Sequence, residues 1–350
     1  MKAFVMRDLD KVGFMDKPIP RPGPDDAIIK TTKALICTSD AHTVHGAIGP
    51  RASLTLGHEA VGVVHEVGRN VTLFRPGNRV LVGAITPDWF DPASQAGHSS
   101  QSGGPLGGWK FSNTKDGVFA EYFHVNHADA NMAHIPDSIA DDMAVYCADM
   151  LSTGFMGAEN GQIPIGGTVA IFAQGPVGLM ATVGARLRGA GLIIAIESVP
   201  QRQELARTYG ADIIIDFTQE DAVQTILALT EGQGIDTAIE ALGSDCTFQN
   251  CLEVTKPGGV VSNIGYHGYG DFVHIPRVAW GVGMAEKTIT TGLCPGGHLR
   301  MERLLRLLET KRVDPTLMTT HTFSFHELNT AFEMMDKKLD GVIKPLIDFS

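Results

Sequence analysis

An α/β fold in two parts is what this sequence predicts: a doubly wound parallel sheet in the second half, and a β-rich part built from the first half and the tail. Three observations carry that expectation. From Gly167 onward, six strand-like runs alternate with helical ones. Before that point the runs are short, apolar and broken by proline and glycine, which favours β structure with turns. Past Leu293 the alternation stops, and the remaining elements have no sheet partner in the second half.

Taken in order, Ala3–Met6, Val12–Met15 and Ala27–Leu35 read as strands around Pro18, Pro20, Pro22 and Pro24. Cys37-Thr38-Ser39-Asp40-Ala41-His42 packs a thiol, two hydroxyls, a carboxylate and an imidazole into one segment. Gly57-His58-Glu59 opens an apolar alternation, Val61–Val67, whose Gly62 and Gly68 mark close backbone approach. Arg79–Ile85 reads as the next strand. Residues 86 to 117 have no period and form a long loop, with Trp109 and Phe111 pointing to packed order within it. Val118–Val125 returns to strand character, and Asp137–Thr153 reads as helical. The six later strands are Val169–Phe172, Ile193–Ile196, Ile213–Ile215, Thr237–Glu240, Val260–Ile264 and Thr288–Leu293. Val177–Arg188, Arg202–Tyr209, Glu220–Leu229 and Cys246–Val254 are the helices between them. In the tail, Leu299–Glu309 is an amphipathic helix, Thr319–Phe323 a strand, His326–Lys337 a helix and Val342–Ile347 a closing strand.

Composition narrows the function classes. A net charge of −11 leaves no basic stripe for nucleic acid or anionic membrane. The five cysteines are odd in number and form no C-x-x-C pair, a reducing-compartment pattern and not a disulfide framework. The N-terminus turns charged before an apolar core develops, and no run reaches spanning length. A cytoplasmic enzyme or binding protein is expected.

Two constellations carry chemistry. Ala173-Gln174-Gly175-Pro176-Val177-Gly178 follows an apolar strand and opens a helix, the context of a dinucleotide fingerprint in which Ala173 replaces the first glycine. Glu197 ends the second strand, 19 positions after Gly178, where an acidic residue meets the adenosine ribose. In the first half, Cys37 and His58, with Cys147 or Asp149, supply the thiolate, imidazole and third donor that an open zinc site requires.

Together these segments resemble the zinc-containing medium-chain alcohol dehydrogenases. Gly57-His58-Glu59-x-x-Gly62-x5-Gly68 is similar to that family's signature, and Cys37-x-Ser39-Asp40-x-His42 to its first ligand segment. Asp149-x-x-x-Thr153-Gly154 falls where the third ligand lies, most often a cysteine. An aspartate there resembles the tetrameric bacterial and protozoal secondary-alcohol dehydrogenases, and the resemblance covers essentially the whole chain. It implies a GroES-like catalytic domain, residues 1–153 and 295–350, and a Rossmann domain, residues 154–294. It also implies one catalytic Zn²⁺ held by Cys37, His58 and Asp149, with Glu59 a displaceable fourth ligand or a near neighbour. Asp40 would orient His58, Ser39 would accept the alcohol proton and His42 would pass it to solvent. No structural zinc is implied, since residues 86 to 117 hold no cysteine. Gly175, Pro176, Val177, Gly178, Glu197 and Ser198 would bind the nucleotide. Ala84, Ile85, Trp109, Tyr266, Leu293 and Cys294 would form an apolar pocket for small secondary alcohols and ketones, in a homotetramer.

The residues depart from those relatives at the nucleotide. The relatives hold a 2′-phosphate with a Gly-Ser-Arg turn and a tyrosine, where this chain has Glu197-Ser198-Val199 and Phe217. NAD(H) is therefore the expected cofactor, with NADP(H) possible through Ser198 and Arg202. A zinc-free quinone or enoyl reductase of the same architecture is the competing enzyme class, and the Cys37, His58, Asp149 set counts against it.

Overall fold

The computed structural model describes residues 1–104, 107–108, 111 and 114–350. The chain divides into two compact units, Met1–Ser152 with Cys294–Ser350, and Thr153–Leu293. Each differs from the expected boundary by one residue. Thr153 joins the second unit, the boundary falling inside the helix Met150–Asn160. Cys294 joins the first, where its thiol donates to the Ala148 carbonyl at 3.7 Å.

The first unit is built on a seven-stranded sheet. Its path runs Thr319–Ser324, Lys344–Asp348, Ala27–Leu35, Glu59–Val67, Arg79–Val82 and Met132–His134, with Tyr122–Val125 also paired to Ala27–Leu35. The two tail strands extend this sheet, Lys344–Asp348 running antiparallel to Ala27–Leu35. A smaller three-stranded sheet joins Lys11–Asp16, Lys2–Asp8 and Leu54–Thr55. Phe4, Ile29, Phe74, Phe119, Phe123, Leu328 and Phe332 close one continuous core between sheet and tail helix. Gly62 is required in this sheet, since a Cβ there would sit 2.2 Å from the Lys30 carbonyl oxygen.

The second unit holds six parallel strands in the order Ile213–Ile215, Leu192–Ile196, Thr168–Phe172, Ile235–Glu240, Thr255–Asn263, Thr288–Thr291. That is the doubly wound order, reversing direction beside the first strand, where such sheets bind ligands at their carboxyl ends. Ile194, Ile196, Ile226, Phe248 and Val261 fill its core.

The Cys37–His42 segment, to which the sequence assigns no element, forms a helix, Thr38–Val44. Two expectations change. The run Asp137–Thr153 is not one helix. Asp141–Ala144 and a 3₁₀ turn, Val145–Cys147, are followed by a turn at Ala148 and Asp149 before Met150–Asn160 begins. Strand pairing of Val118–Val125 is confined to Tyr122–Val125 and an isolated bridge at Ala120, because Gly117, Val118 and Phe119 bond to the 55–57 turn. In the long loop Phe111 is buried, with the Lys115 ammonium 4.0 Å from its ring centroid, while Trp109 lies outside the described residues. Among the described residues no helix is long and apolar enough to cross a membrane.

Candidate metal centre and nucleotide turn

Cys37, His58, Glu59 and Asp149 each offer one donor atom, and these atoms lie within 4.8 Å of one another. They come from separate elements. Cys37 precedes the helix Thr38–Val44, His58 and Glu59 sit where the strand Glu59–Val67 begins, and Asp149 occupies the turn after Cys147. His58 Nε2 lies 3.3 Å from Asp149 Oδ2 and 3.8 Å from Glu59 Oε1. Its Nδ1 lies 3.1 Å from Asp40 Oδ1, so that edge donates to Asp40 and leaves Nε2 for the cluster. Asp40 also accepts the Cys37 backbone N–H through Oδ2 at 2.9 Å. One buried carboxylate therefore fixes two of the four donors.

This set fits Zn²⁺. Thiolate, imidazole and carboxylate are its usual ligands, and Glu59 Oε2 is a buried oxygen without a hydrogen-bond partner. Burial opposes charge on His58, but Asp40 and the hydrogen bonds to Asp149, Asp40 and Cys37 hold its pKa well above the ordinary imidazole value. The negative field that favours the imidazolium favours a divalent cation at the same point. Cys147 is excluded from the cluster. Its side chain is fully buried, and burial pushes the thiol well above its usual pKa.

Sequence reasoning missed Lys344. Its Nζ lies 2.5 Å from Glu59 Oε1, and both side chains are inaccessible to solvent. The signal was a lysine inside the apolar run Val342–Ile347, which has to find an anion. Burial raises the Glu59 carboxyl to about 7 while Lys344 draws it down. Burial likewise opposes the Lys344 charge, but Cys37 and Glu59 raise its pKa. The Lys344 ammonium offsets one of the three negative charges that Cys37, Asp149 and Glu59 can bring to the cluster. Lys344→Met is expected to cost about 3–5 kcal/mol in denaturant unfolding, the penalty of one buried charge left unpaired. Adding Glu59→Gln should return part of that loss.

Ser39 Oγ lies 3.3 Å from His58 Nε2, at the edge of the cluster. His42 follows one helical turn later and is partly buried; burial lowers its pKa, reinforced by Lys338 and His45. At the end of the same helix His45 bridges Asp10 Oδ1 at 2.6 Å and Asp336 Oδ1 at 2.7 Å. Those two bonds raise its pKa, Asp10 first, against a smaller opposing effect of burial. A raised folded-state pKa adds stability below the unfolded value of about 6.5, which is lost as pH rises through the folded value. The gain in Tm of the native protein over a His45→Gln variant is expected to be larger near about pH 6 than near about pH 9. The stability difference behind it stays below about 1 kcal/mol, because the side chain is half exposed.

Ala84 donates its backbone N–H to the Ala148 carbonyl at 3.0 Å, the same oxygen that Cys294 reaches. Ala84 and Cys294 thus meet at the residue preceding Asp149, and Ile85 is buried as well. Tyr266 and Leu293 belong to the second unit, Tyr266 being 37% exposed.

In the nucleotide turn, Ala173 adopts a left-handed φ of 74°, where the missing glycine would be at ease. A Cβ on Gly175 would meet nothing, which leaves room for a phosphate, whereas one on Gly178 would sit 2.0 Å from the Ala173 oxygen. Glu197 departs from expectation. It is 5% exposed, and Oε1 already accepts from the N–H groups of Ser198 at 2.8 Å and Val199 at 3.0 Å. Its Oε2 accepts from Gln174 N–H at 3.0 Å, with Arg202 Nη1 at 3.9 Å. The carboxylate caps the loop, and only Oε2 retains capacity for a further donor.

Comparison with known proteins gives a consistent result. Residues 176–310 match the zinc-binding dehydrogenase family, and residues 23–137 match the alcohol dehydrogenase GroES-like domain. The chain is 51% identical to the NADP-dependent isopropanol dehydrogenase of Thermoanaerobacter brockii, over 99% of both chains. It is 47% identical to that of Clostridium beijerinckii, with the same coverage. An alcohol dehydrogenase structure from Thermus sp. ATN1 superposes with a TM-score of 0.89 at 31% identity, covering 99% of both chains. With a four-donor cluster on a GroES-like unit and a fingerprint on a Rossmann unit, the chain belongs to the zinc-containing medium-chain alcohol dehydrogenases.

Proposed function

We propose that this chain is a zinc-dependent secondary-alcohol dehydrogenase and ketone reductase, exchanging hydride between small secondary alcohols and NAD(H). The observation that carries this reading is the convergence of Cys37, His58 and Asp149, with Glu59 alongside, next to the helix bearing Ser39 and His42. Cys37, His58 and Asp149 would hold the metal, with Glu59 a displaceable fourth ligand or a near neighbour. Bound there, Zn²⁺ supplies the Lewis acidity that lowers the pKa of an alcohol oxygen. Ser39 takes the alcohol proton, His42 carries it towards solvent, and Asp40 keeps His58 in the tautomer that ligates. A zinc-free reductase would have no use for this donor set.

The NAD(H) preference stands against the names of the relatives, which are NADP-dependent. It rests on charge. A carboxylate at position 197 repels a 2′-phosphate, and Val199 offers no guanidinium to offset it. Arg202, 3.9 Å from that carboxylate, supports the second reading, in which NADP(H) is used as well. Steady-state kinetics of 2-propanol oxidation with both nucleotides, alongside zinc determination, tests both levels. A kcat/KM higher for NAD(H) is expected, and a higher value for NADP(H) would overturn the preference while leaving the dehydrogenase reading intact. The double variant Glu197→Gly, Val199→Arg should move selectivity towards NADP(H) and also weaken binding of both nucleotides, because three backbone N–H groups lose their acceptor.

A cytoplasmic homotetramer fits the composition and the exposed apolar stretch Tyr269, Phe272, Val278 and Met284 near the edge strand Thr288–Thr291.

A further inference from the structure

Glu240 ends the fourth strand of the parallel sheet and has no solvent exposure. Its side chain is a hub for donors from the segment that follows. Oε1 accepts from Leu242 N–H at 3.1 Å, Gly243 N–H at 2.8 Å and Thr247 Oγ1–H at 2.6 Å. Oε2 accepts from Gly243 N–H at 3.0 Å and faces His267 Nε2 at 3.7 Å. The backbone oxygen of the same residue accepts from Ile264 and Gly265, which follow the fifth strand. His267 in turn donates to Asn263 Oδ1 at 2.8 Å, and Asn263 Nδ2 donates to the Gly265 carbonyl at 3.0 Å.

The two loops so joined, 241–244 and 264–268, leave no slack. A Cβ on Gly265 would lie 2.1 Å from Glu240 Oε2, and one on Gly243 would lie 2.1 Å from the Tyr266 oxygen. Gly243 also has a left-handed φ of 88°. Both loops leave the carboxyl ends of strands, on the half of the sheet beyond the fingerprint strand. Glu240 is in register with Phe172, the residue before the fingerprint, and Ala241 N–H donates to the Phe172 carbonyl at 3.1 Å. A dinucleotide laid across the switch point puts one mononucleotide over each half of such a sheet. The half with Glu197 takes the adenosine, so these loops face the nicotinamide mononucleotide.

We infer that Glu240 is a positioning residue for the nicotinamide half of the dinucleotide. Its carboxylate brackets the loops after the fourth and fifth strands into one rigid wall. The inference rests on the dinucleotide reading of the second unit. Acceptor-only chemistry is what the position demands. A glutamine would turn an N–H group towards either Gly243 N–H or the Leu242 and Thr247 donors, and one buried bond would become a clash of donors.

Calorimetric titration of the zinc-loaded protein tests this, using NADH and NADPH as whole dinucleotides, and ADP and adenosine 2′,5′-bisphosphate as adenosine-half probes. Glu240→Gln should weaken the preferred reduced dinucleotide about tenfold, the scale of one misplaced buried hydrogen bond. The adenosine-half probes should change less than about twofold and zinc content should be unchanged. Thr247→Val, which removes one donor and keeps the carboxylate, should show the same split at a few-fold, and it decides the matter if the glutamine variant fails to fold. Parallel weakening of dinucleotide and adenosine probes would assign Glu240 a merely structural role and overturn the inference, as would unchanged dinucleotide affinity. A wild-type protein that binds no dinucleotide would instead remove the nucleotide reading itself.

Discussion

Asp149→Ala is expected to lose bound zinc and turnover together, whereas Cys147→Ala should keep both. The two residues are two positions apart, and both are chemically legitimate ligands. Backbone geometry separates them. The 3₁₀ turn ends at Cys147 and the next helix starts at Met150, so the chain turns at Asp149 and aims its carboxylate at His58 Nε2, 3.3 Å away. Cys147 points into the core with no exposed surface and a thiol that burial keeps protonated. Removing a direct ligand should cost more than the roughly 10–100-fold in metal affinity that loss of an outer partner costs. Cys147→Ala is expected to cost about 1 kcal/mol of stability, an ordinary core truncation. Metal analysis after dialysis and kcat with 2-propanol check the pair, and the opposite ranking would move the third ligand to Cys147.

Ser39→Ala is expected to retain zinc and nucleotide affinity and to lose on the order of 10²–10⁴ in kcat, the usual contribution of positioned proton transfer. The Ser39 hydroxyl is 3.3 Å from His58 Nε2, within reach of a substrate oxygen at the metal centre. His42 lies on the same helix face three residues on, and its lowered pKa keeps the imidazole neutral and ready to take a proton near pH 7. Zinc content, nucleotide affinity and kcat are measured across the working pH range for wild type and variant. Near-normal kcat throughout would take Ser39 out of proton transfer.

The fold was largely legible because its signals are local and periodic. Three of the six parallel strands, Thr168–Phe172, Leu192–Ile196 and Ile213–Ile215, are short, mostly apolar runs, and the strand–helix alternation implies the doubly wound order. The elements that sequence left unassigned or misread are those where side-chain contacts outweigh local pattern. Thr38–Val44 carries five polar or ionisable residues and shows no apolar stripe. It is helical because Asp40 reaches back to the Cys37 N–H and across to His58. The run to Thr153 has helical composition, yet it breaks at Asp149, where the carboxylate is drawn to the cluster.

By itself the sequence determined the two-part α/β architecture, the fingerprint turn, and the donor types Cys37, His58 and Asp149 that suit zinc. Motif spacing carries those, and spacing is a property of the chain alone. Only the tertiary structure decided how charge is balanced. Lys344 lies 285 positions from Glu59, and no periodicity links them until the tail strand is laid against Ala27–Leu35 and brings the ammonium onto the carboxylate. The same holds at the nucleotide turn, where Glu197 reads as a free ribose acceptor in one dimension. In three dimensions it is committed to Gln174, Ser198 and Val199, because a buried carboxylate must satisfy its oxygens from whatever backbone donors the fold brings within reach.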